Sequence, residues 1–141
     1  MRIAPPALFG AAALSQLCVG RRPTALTTVV CAPLVLAAGW LGAGAVLEFA
    51  RHGTTVDPRT LDRTSALVRT GPNAVTRNPM YLGLATLLTA HAVARRSPLA
   101  LLPVAGFVAV VSGWQIPAEE AALTARFEEY ADYVAQVPRW L

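Results

Sequence analysis

Apolar residues along the chain gather into four runs, Ile3 to Val19, Leu26 to Phe49, Met80 to Ala94 and Leu99 to Ile116, and none carries a charge in mid-run, Glu48 falling at the end of the second. Each is near the roughly 20 residues that a bilayer requires of a helix. The third is short: fifteen residues, rising about 1.5 Å each, give roughly 22 Å against a hydrocarbon core of about 30 Å. Arg95 and Arg96 at its end can snorkel to make up the difference. The second is long, about 36 Å by the same rise, so it tilts or projects Glu48 beyond the lipid, with Pro33 as a point for a kink. Arg2, the first apolar stretch and Ala11-Ala12-Ala13 imitate parts of a signal peptide, but three further runs fit a first span that stays in the membrane. Short junctions at Arg21-Arg22-Pro23-Thr24 and Arg95-Arg96-Ser97-Pro98 make neighbouring helices antiparallel.

The pattern therefore predicts an all-α integral membrane protein, one domain over residues 1–141, with about four transmembrane helices near 3–20, 25–50, 79–94 and 98–116. The stretch from Arg51 to Asn78 is a long polar connecting loop with turn signals at Gly53, Asp57-Pro58 and Gly71-Pro72. Its centre, Ser65-Ala66-Leu67-Val68, is apolar enough to lie against the membrane surface, and Pro79 suits the first turn of the next helix. Beyond Pro117, Leu123, Phe127, Tyr130 and Val134 are spaced along one face of a C-terminal amphipathic helix over 118–136. Glu128, Glu129 and Asp132 take the other face, Pro138 ends the helix, and Trp140 is an interfacial anchor.

Composition agrees, with 55% hydrophobic and 14% charged residues and a mean hydropathy of +0.48. All twelve basic residues are arginines. Eight fall at the termini, in the connecting loop and in the tail, against Arg21, Arg22, Arg95 and Arg96 on the opposite side, which favours cytoplasmic termini and a multi-pass cell-membrane protein. The net charge of +4 reads as membrane topology and attraction to anionic lipid, with no basic stripe and interleaved aromatics for nucleic acid. Cys18 and Cys31 fall in apolar runs and behave as small apolar residues, and His52 and His91 lack partners at metal-ligand spacing, so no metal is expected.

The polar Arg77-Asn78-Pro79-Met80-Tyr81-Leu82-Gly83 opens directly into an apolar helix, and Glu119-Glu120 follows at the far end of the next hairpin. The fold returns both to one membrane face. Together with Gly71-Pro72, Leu123, Phe127, Tyr130-x-x-Tyr133 and Val137-Pro138-Arg139, this order resembles the isoprenylcysteine carboxyl methyltransferase and phospholipid methyltransferase superfamily, over roughly residues 50–141. The resemblance implies an enzyme using S-adenosylmethionine to methylate a lipophilic, membrane-embedded acceptor, either isoprenylcysteine carboxyl methyltransferase-like or a phospholipid or amine N-methyltransferase. A non-catalytic lipid-binding protein on the same scaffold is the alternative of another class. Oligomeric state is not readable.

Carried over by position, the resemblance implies that Ser65, Ala66, Leu67 and Val68 line the cofactor, that Asn78, Pro79, Met80 and Tyr81 lie beneath it, and that Glu119 receives its amino end. An ammonium and a sulfonium do call for a carboxylate, and adenine and ribose for hydrogen bonds and an apolar wall. Arg77 is placed to hold the methionine carboxylate or a headgroup phosphate. Glu120 supports its neighbour or pairs with Arg77. Three positions depart from the family pattern: Asn73 stands where an aromatic is usual and leaves only hydrogen bonding, Asn78 where histidine is frequent, and Gln115 where the carboxyl methyltransferases carry a substrate-facing arginine. A neutral Gln115 cannot pair with a carboxylate, which makes an amine or other lipid acceptor at least as fitting. Against these readings stand plainer ones: Glu119-Glu120 as carboxylates at a helix N-terminus after Pro117, and Tyr81 as an interfacial aromatic.

Overall fold

The computed structural model describes residues 4–55 and 65–141, and among these every regular element is helical. The start of the first run at Ile3 and the Asp57-Pro58 turn lie outside the described residues. Helix α1, Pro5–Leu17, is shorter than its apolar run. The chain leaves it through Gly20, whose φ of +83° and whose approach to the Arg95 carbonyl, 2.6 Å from where a Cβ would sit, leave no place for a side chain. Helix α2, Ala25–Arg51, starts at a reciprocal cap in which Thr24 and Thr27 each accept the other's backbone N–H. Where it is described, the connecting loop is irregular apart from a 3-10 turn at Gly71–Ala74, and Pro79 opens helix α3, Pro79–Ala94, where the missing N–H costs no bond.

Helix α3 is the centre of the molecule, packed along α2 on one side and against α1 and the last long helix on the other. Its approach to α2 is set by Gly83: a Cβ there would lie 3.0 Å from the Ala38 carbonyl and 3.2 Å from the Gly42 nitrogen. Small residues at such a crossing let two backbones meet. On the opposite side Tyr81, Ala85 and Leu88 form a core with Ala12 of α1 and with Phe107, Val111 and Ile116. Gln16, fully buried, stitches this core together by donating from Nε2 to the Leu88 carbonyl at 3.0 Å and the Ala100 carbonyl at 2.8 Å.

The fourth run departs from its expected end at residue 116. A 3-10 turn at Pro98–Leu101 leads into α4, Leu102–Val110, then into a π-helical turn at Val111–Gln115, then into α5, Ile116–Arg126, as one continuous helix. Pro117 has no N–H to continue an α-helical ladder and its ring crowds the preceding turn. The π turn absorbs this, with the Ile116 N–H bonded to the Val111 carbonyl five residues back. It also keeps the core face in register, since Phe107, Val111 and Ile116 are spaced four and then five apart. Glu119 and Glu120 accordingly sit inside a continuing helix, and the reading of them as carboxylates at a free helix N-terminus does not hold.

The expected single tail helix over 118–136 is broken. Phe127 is extended, and a separate helix α6 covers Tyr130–Gln136. The break shifts the phase of the apolar stripe: Tyr130, Tyr133 and Val137 point inward and pack with Leu67, Leu123 and Phe127, while Val134 is 41% exposed. Leu67 and Val68 are thereby covered by protein rather than by headgroups.

Helix α2, of 27 residues, and the continuous Pro98–Arg126 helix, of 29, are long and apolar enough to cross a membrane; α3 is apolar but shorter. Leu26, Leu36, Trp40, Leu102 and Trp114 are each more than half exposed, an apolar surface too large for water alone. The Gly83 crossing generates a test. Gly83→Ala forces a methyl against backbone atoms that cannot yield and is expected to cost about 1–3 kcal/mol, seen as a lowered melting temperature in detergent. Gly106→Ala, where a Cβ meets nothing within 4 Å, is expected to leave it unchanged or raise it.

Candidate functional site

Two rungs join the start of α3 to α5. In the upper rung, the Tyr81 hydroxyl donates to Glu119 Oε1 at 2.5 Å, and Gln115 Nε2, one turn before Glu119 on its own helix, donates to the same oxygen at 2.6 Å. Both donors are neutral, so they orient the carboxylate without cancelling its charge. In the lower rung, Arg77 Nη1 meets Glu120 Oε1 at 2.8 Å, and Arg139 binds the same carboxylate through Nη2 to Oε2 at 2.5 Å and Nε to Oε1 at 3.1 Å. The Arg139 contact is the two-point fork that guanidinium and carboxylate geometries allow. Because Arg77 and Tyr81 are four residues apart and Glu119 and Glu120 are adjacent, the rungs lie side by side.

The chain end is drawn into this site by its backbone. The Arg77 N–H donates to the Pro138 carbonyl at 2.9 Å, while Asn78 Nδ2 and the Thr76 hydroxyl donate to the Arg139 carbonyl at 2.9 and 3.1 Å. Thr76 also accepts the Asn78 N–H through its hydroxyl oxygen. Thr76 and Asn78 are both buried, and each satisfies the other's polar groups or those of the tail. Tyr130 lies 3.4 Å from Arg77 Nη1, and burial raises its phenol above the usual range, opposed by Arg77. Tyr133 donates to the Asn73 carbonyl at 2.6 Å; burial raises its phenol well above the ordinary value, so it remains a protonated donor. The Arg69 guanidinium lies over its ring at 5.6 Å.

Of the sequence-predicted residues, the structure brings Arg77, Tyr81, Gln115, Glu119 and Glu120 together at the junction of α3 and α5. Pro79 is buried and Met80 half-buried in the first turn of α3. Asn78 faces the tail. Asn73 is buried and engaged with Thr70 and Tyr133. Ser65 is tied to the end of α2, its N–H donating to the Thr54 hydroxyl at 2.9 Å and its own hydroxyl to the Gly53 carbonyl; Ala66 and Leu67 are half-buried and Val68 buried. Glu48 also reaches the loop, accepting from the Thr70 hydroxyl while paired with Arg51 at 2.6 Å. Arg139 is the member of the site that the sequence reading left inside a motif without a role. Its signal was the conjunction of a Pro-Arg pair with a carboxylate doublet upstream.

One atom is left over. Arg77 Nε is a buried donor without a hydrogen-bond partner among the described residues, at the edge of the site. A buried N–H of this kind is costly unless an acceptor meets it. The carboxylate of an amino-acid moiety has the acceptor oxygens this atom lacks.

The lower rung predicts an asymmetry. Glu120→Gln leaves Arg77, 11% exposed in its side chain, without its carboxylate and is expected to cost about 3 kcal/mol or more. Arg139→Gln removes a partner whose side chain is 40% exposed and is expected to cost about 1 kcal/mol or less. Melting temperatures in detergent, with limited proteolysis of the tail, distinguish the two.

No curated protein and no solved structure matches the chain. A sequence model described as phospholipid methyltransferase matches residues 26–130, a span that contains α2, α3, the continuous helix and both carboxylates of the site. The chain belongs to the phospholipid methyltransferase family.

Proposed function

We propose that this protein transfers the methyl group of S-adenosylmethionine to the amine headgroup of a membrane phospholipid, at the end of the helical bundle where α3 begins. The single observation that carries this reading is the Tyr81–Glu119–Gln115 cluster beside the unsatisfied Arg77 Nε. It is a carboxylate positioned by neutral donors, next to a cationic group with a donor to spare. When bound, the cofactor supplies a methyl on a sulfonium that needs no further activation. The protein's part is alignment, exclusion of water and electrostatics.

Glu119 binds the amino end of the cofactor, and Arg77 Nε its carboxylate. Tyr81 and Gln115 fix the Glu119 rotamer in advance, so that little reorganisation accompanies binding. Methyl transfer would carry one positive charge from sulfur to nitrogen, and the negative charge of Glu119 at this end would help to steady it. The acceptor amine attacks only as its free base. Its proton leaves to water at the polar face, because Glu120 is engaged by two arginines. The excess of arginines in the termini, connecting loop and tail over the two short junctions, eight against four along the sequence, supports a cytoplasmic site. Engagement of Gln115 with Glu119 supports an amine over the prenylcysteine carboxylate of the related carboxyl methyltransferases, since no cation stands at position 115 to receive it.

Titrating S-adenosylhomocysteine into the purified protein tests the cofactor half. Binding is expected, weakened roughly tenfold or more in Glu119→Gln and severalfold in Tyr81→Phe. No binding by the intact protein refutes the enzyme reading in favour of a non-catalytic lipid-binding protein; binding indifferent to Glu119 refutes its role. For the acceptor, radiolabelled methyl is expected in phosphatidylethanolamine-derived lipid and absent from a prenylcysteine analogue, and the reverse outcome reassigns the substrate.

A further inference from the structure

Toward the opposite end of α3, with His91 about 15 Å from Tyr81 by helical rise, α1, α2 and α3 enclose a groove of about 390 Å³. Phe9 and Ala13 of α1, Cys31 and Val35 of α2, and Leu87 and His91 of α3 line it. Its remaining polar side chains are spoken for: the Cys31 thiol donates to the Ala90 carbonyl at 3.2 Å and Thr28 to the Thr24 carbonyl at 2.9 Å.

His91 is different, and Gln16 decides how. Both amide hydrogens of Gln16 go to backbone carbonyls, which turns its Oε1 toward His91 Nδ1 at 2.8 Å. That oxygen only accepts, so Nδ1 carries the proton and the neutral ring keeps a bare lone pair on Nε2. An acyl chain alone would leave that lone pair without a donor. A hydroxyl would satisfy it.

The rim of the groove is basic. Its lining includes Pro23, immediately after Arg21-Arg22, and Ala94, immediately before Arg95-Arg96. The two junctions are clamped together, with the Arg21 N–H bonded to the Arg95 carbonyl at 2.8 Å and the Arg95 side chain to the carbonyls of Leu17 and Val19. Those bonds are to neutral groups, and the sequence holds no Asp or Glu before residue 48 or between 79 and 118. Four positive charges thus gather at this end, while α1 and α3 carry no carboxylate and the one in α2, Glu48, lies at that helix's far end, which calls for an anion from the membrane.

From these three features we infer a second lipid site, separate from the methyl-transfer site, that takes a single-chain anionic glycerophospholipid. The phosphate sits at the arginine rim, the free glycerol hydroxyl donates to His91 Nε2 one helical turn below Arg95, and the chain lies in the groove. Lysophosphatidate, whose one glycerol carries a single free hydroxyl, is the probe. Native mass spectrometry of the full chain in neutral detergent is expected to show one bound molecule, held about three- to tenfold more tightly than its 2-O-methyl ether, which lacks the hydroxyl. Zwitterionic lysophosphatidylcholine and diacyl phosphatidate are expected to bind more weakly, as is lysophosphatidate to the Arg21→Gln/Arg22→Gln variant. Val35→Trp fills the groove from a position 46% exposed and is expected to abolish binding, with its lipid-free melting temperature reporting that it is folded. Equal binding by the ether, by the diacyl lipid or by the folded tryptophan variant overturns the assignment.

Discussion

Glu120 shares one carboxylate between Arg77, from the segment that opens α3, and Arg139, from the chain end, and the geometry of the whole polar end follows from that sharing. The two arginines would repel each other across so small a space without it. With it, the tail is pulled over the start of α3, where Thr76 and Asn78 take up its carbonyls. Glu119, one residue earlier on a rigid helix, is thereby brought to Tyr81. The ion-paired Glu120 and the carboxylate proposed to meet the cofactor, Glu119, are neighbours in sequence, so anchoring one sets the height of the other.

The same end depends on a quite different constraint at the middle of the bundle. Gly83 lets α2 and α3 approach until backbone nearly meets backbone. A wider crossing would separate the connecting loop, held through Glu48 and Gly44 of α2, from the helix that follows it. Pro72 already packs 2.9 Å from where a Cβ on Gly44 would be, and Gly71, with φ of +59°, lies against Glu48. The loop is seated on α2 by shape, and the site inherits its rigidity from helices that bury mostly alanine and glycine.

Hydropathy alone was enough to place α2 and α3 nearly to the residue, because a long apolar run bounded by a threonine cap or by Asn-Pro has few other outcomes. The return of Arg77 and Tyr81 to the same end as Glu119 and Glu120 followed from hairpin geometry, and so did the option of an Arg77–Glu120 pair; the hydrogen bond from Tyr81 to Glu119 is visible only in the structure. What escaped was governed by contacts between distant residues. Nothing local announces that Pro117 will be absorbed by a π turn instead of ending a helix, since that choice is made by Phe107, Val111 and Ile116 packing on α3. The tail stripe was read with Val134 inward because an unbroken helix was assumed, and the turn at Phe127 moved Tyr133 and Val137 into its place. Gln16, a lone amide in the first apolar run, was a legible signal of a buried polar junction, but its partners lie over seventy residues away.

The π turn at Val111–Gln115 has one more consequence. It is a single surplus residue held within an otherwise α-helical column, a dislocation in the sense used for crystals, and a dislocation can glide. Were it to pass one position toward α5, each residue it crossed would turn by about 100° about the helix axis while both ends of the column stayed where they are. Gln115 lies at its leading edge, so a glide of one step would turn that amide relative to Glu119 and leave Tyr81 as the donor holding the carboxylate.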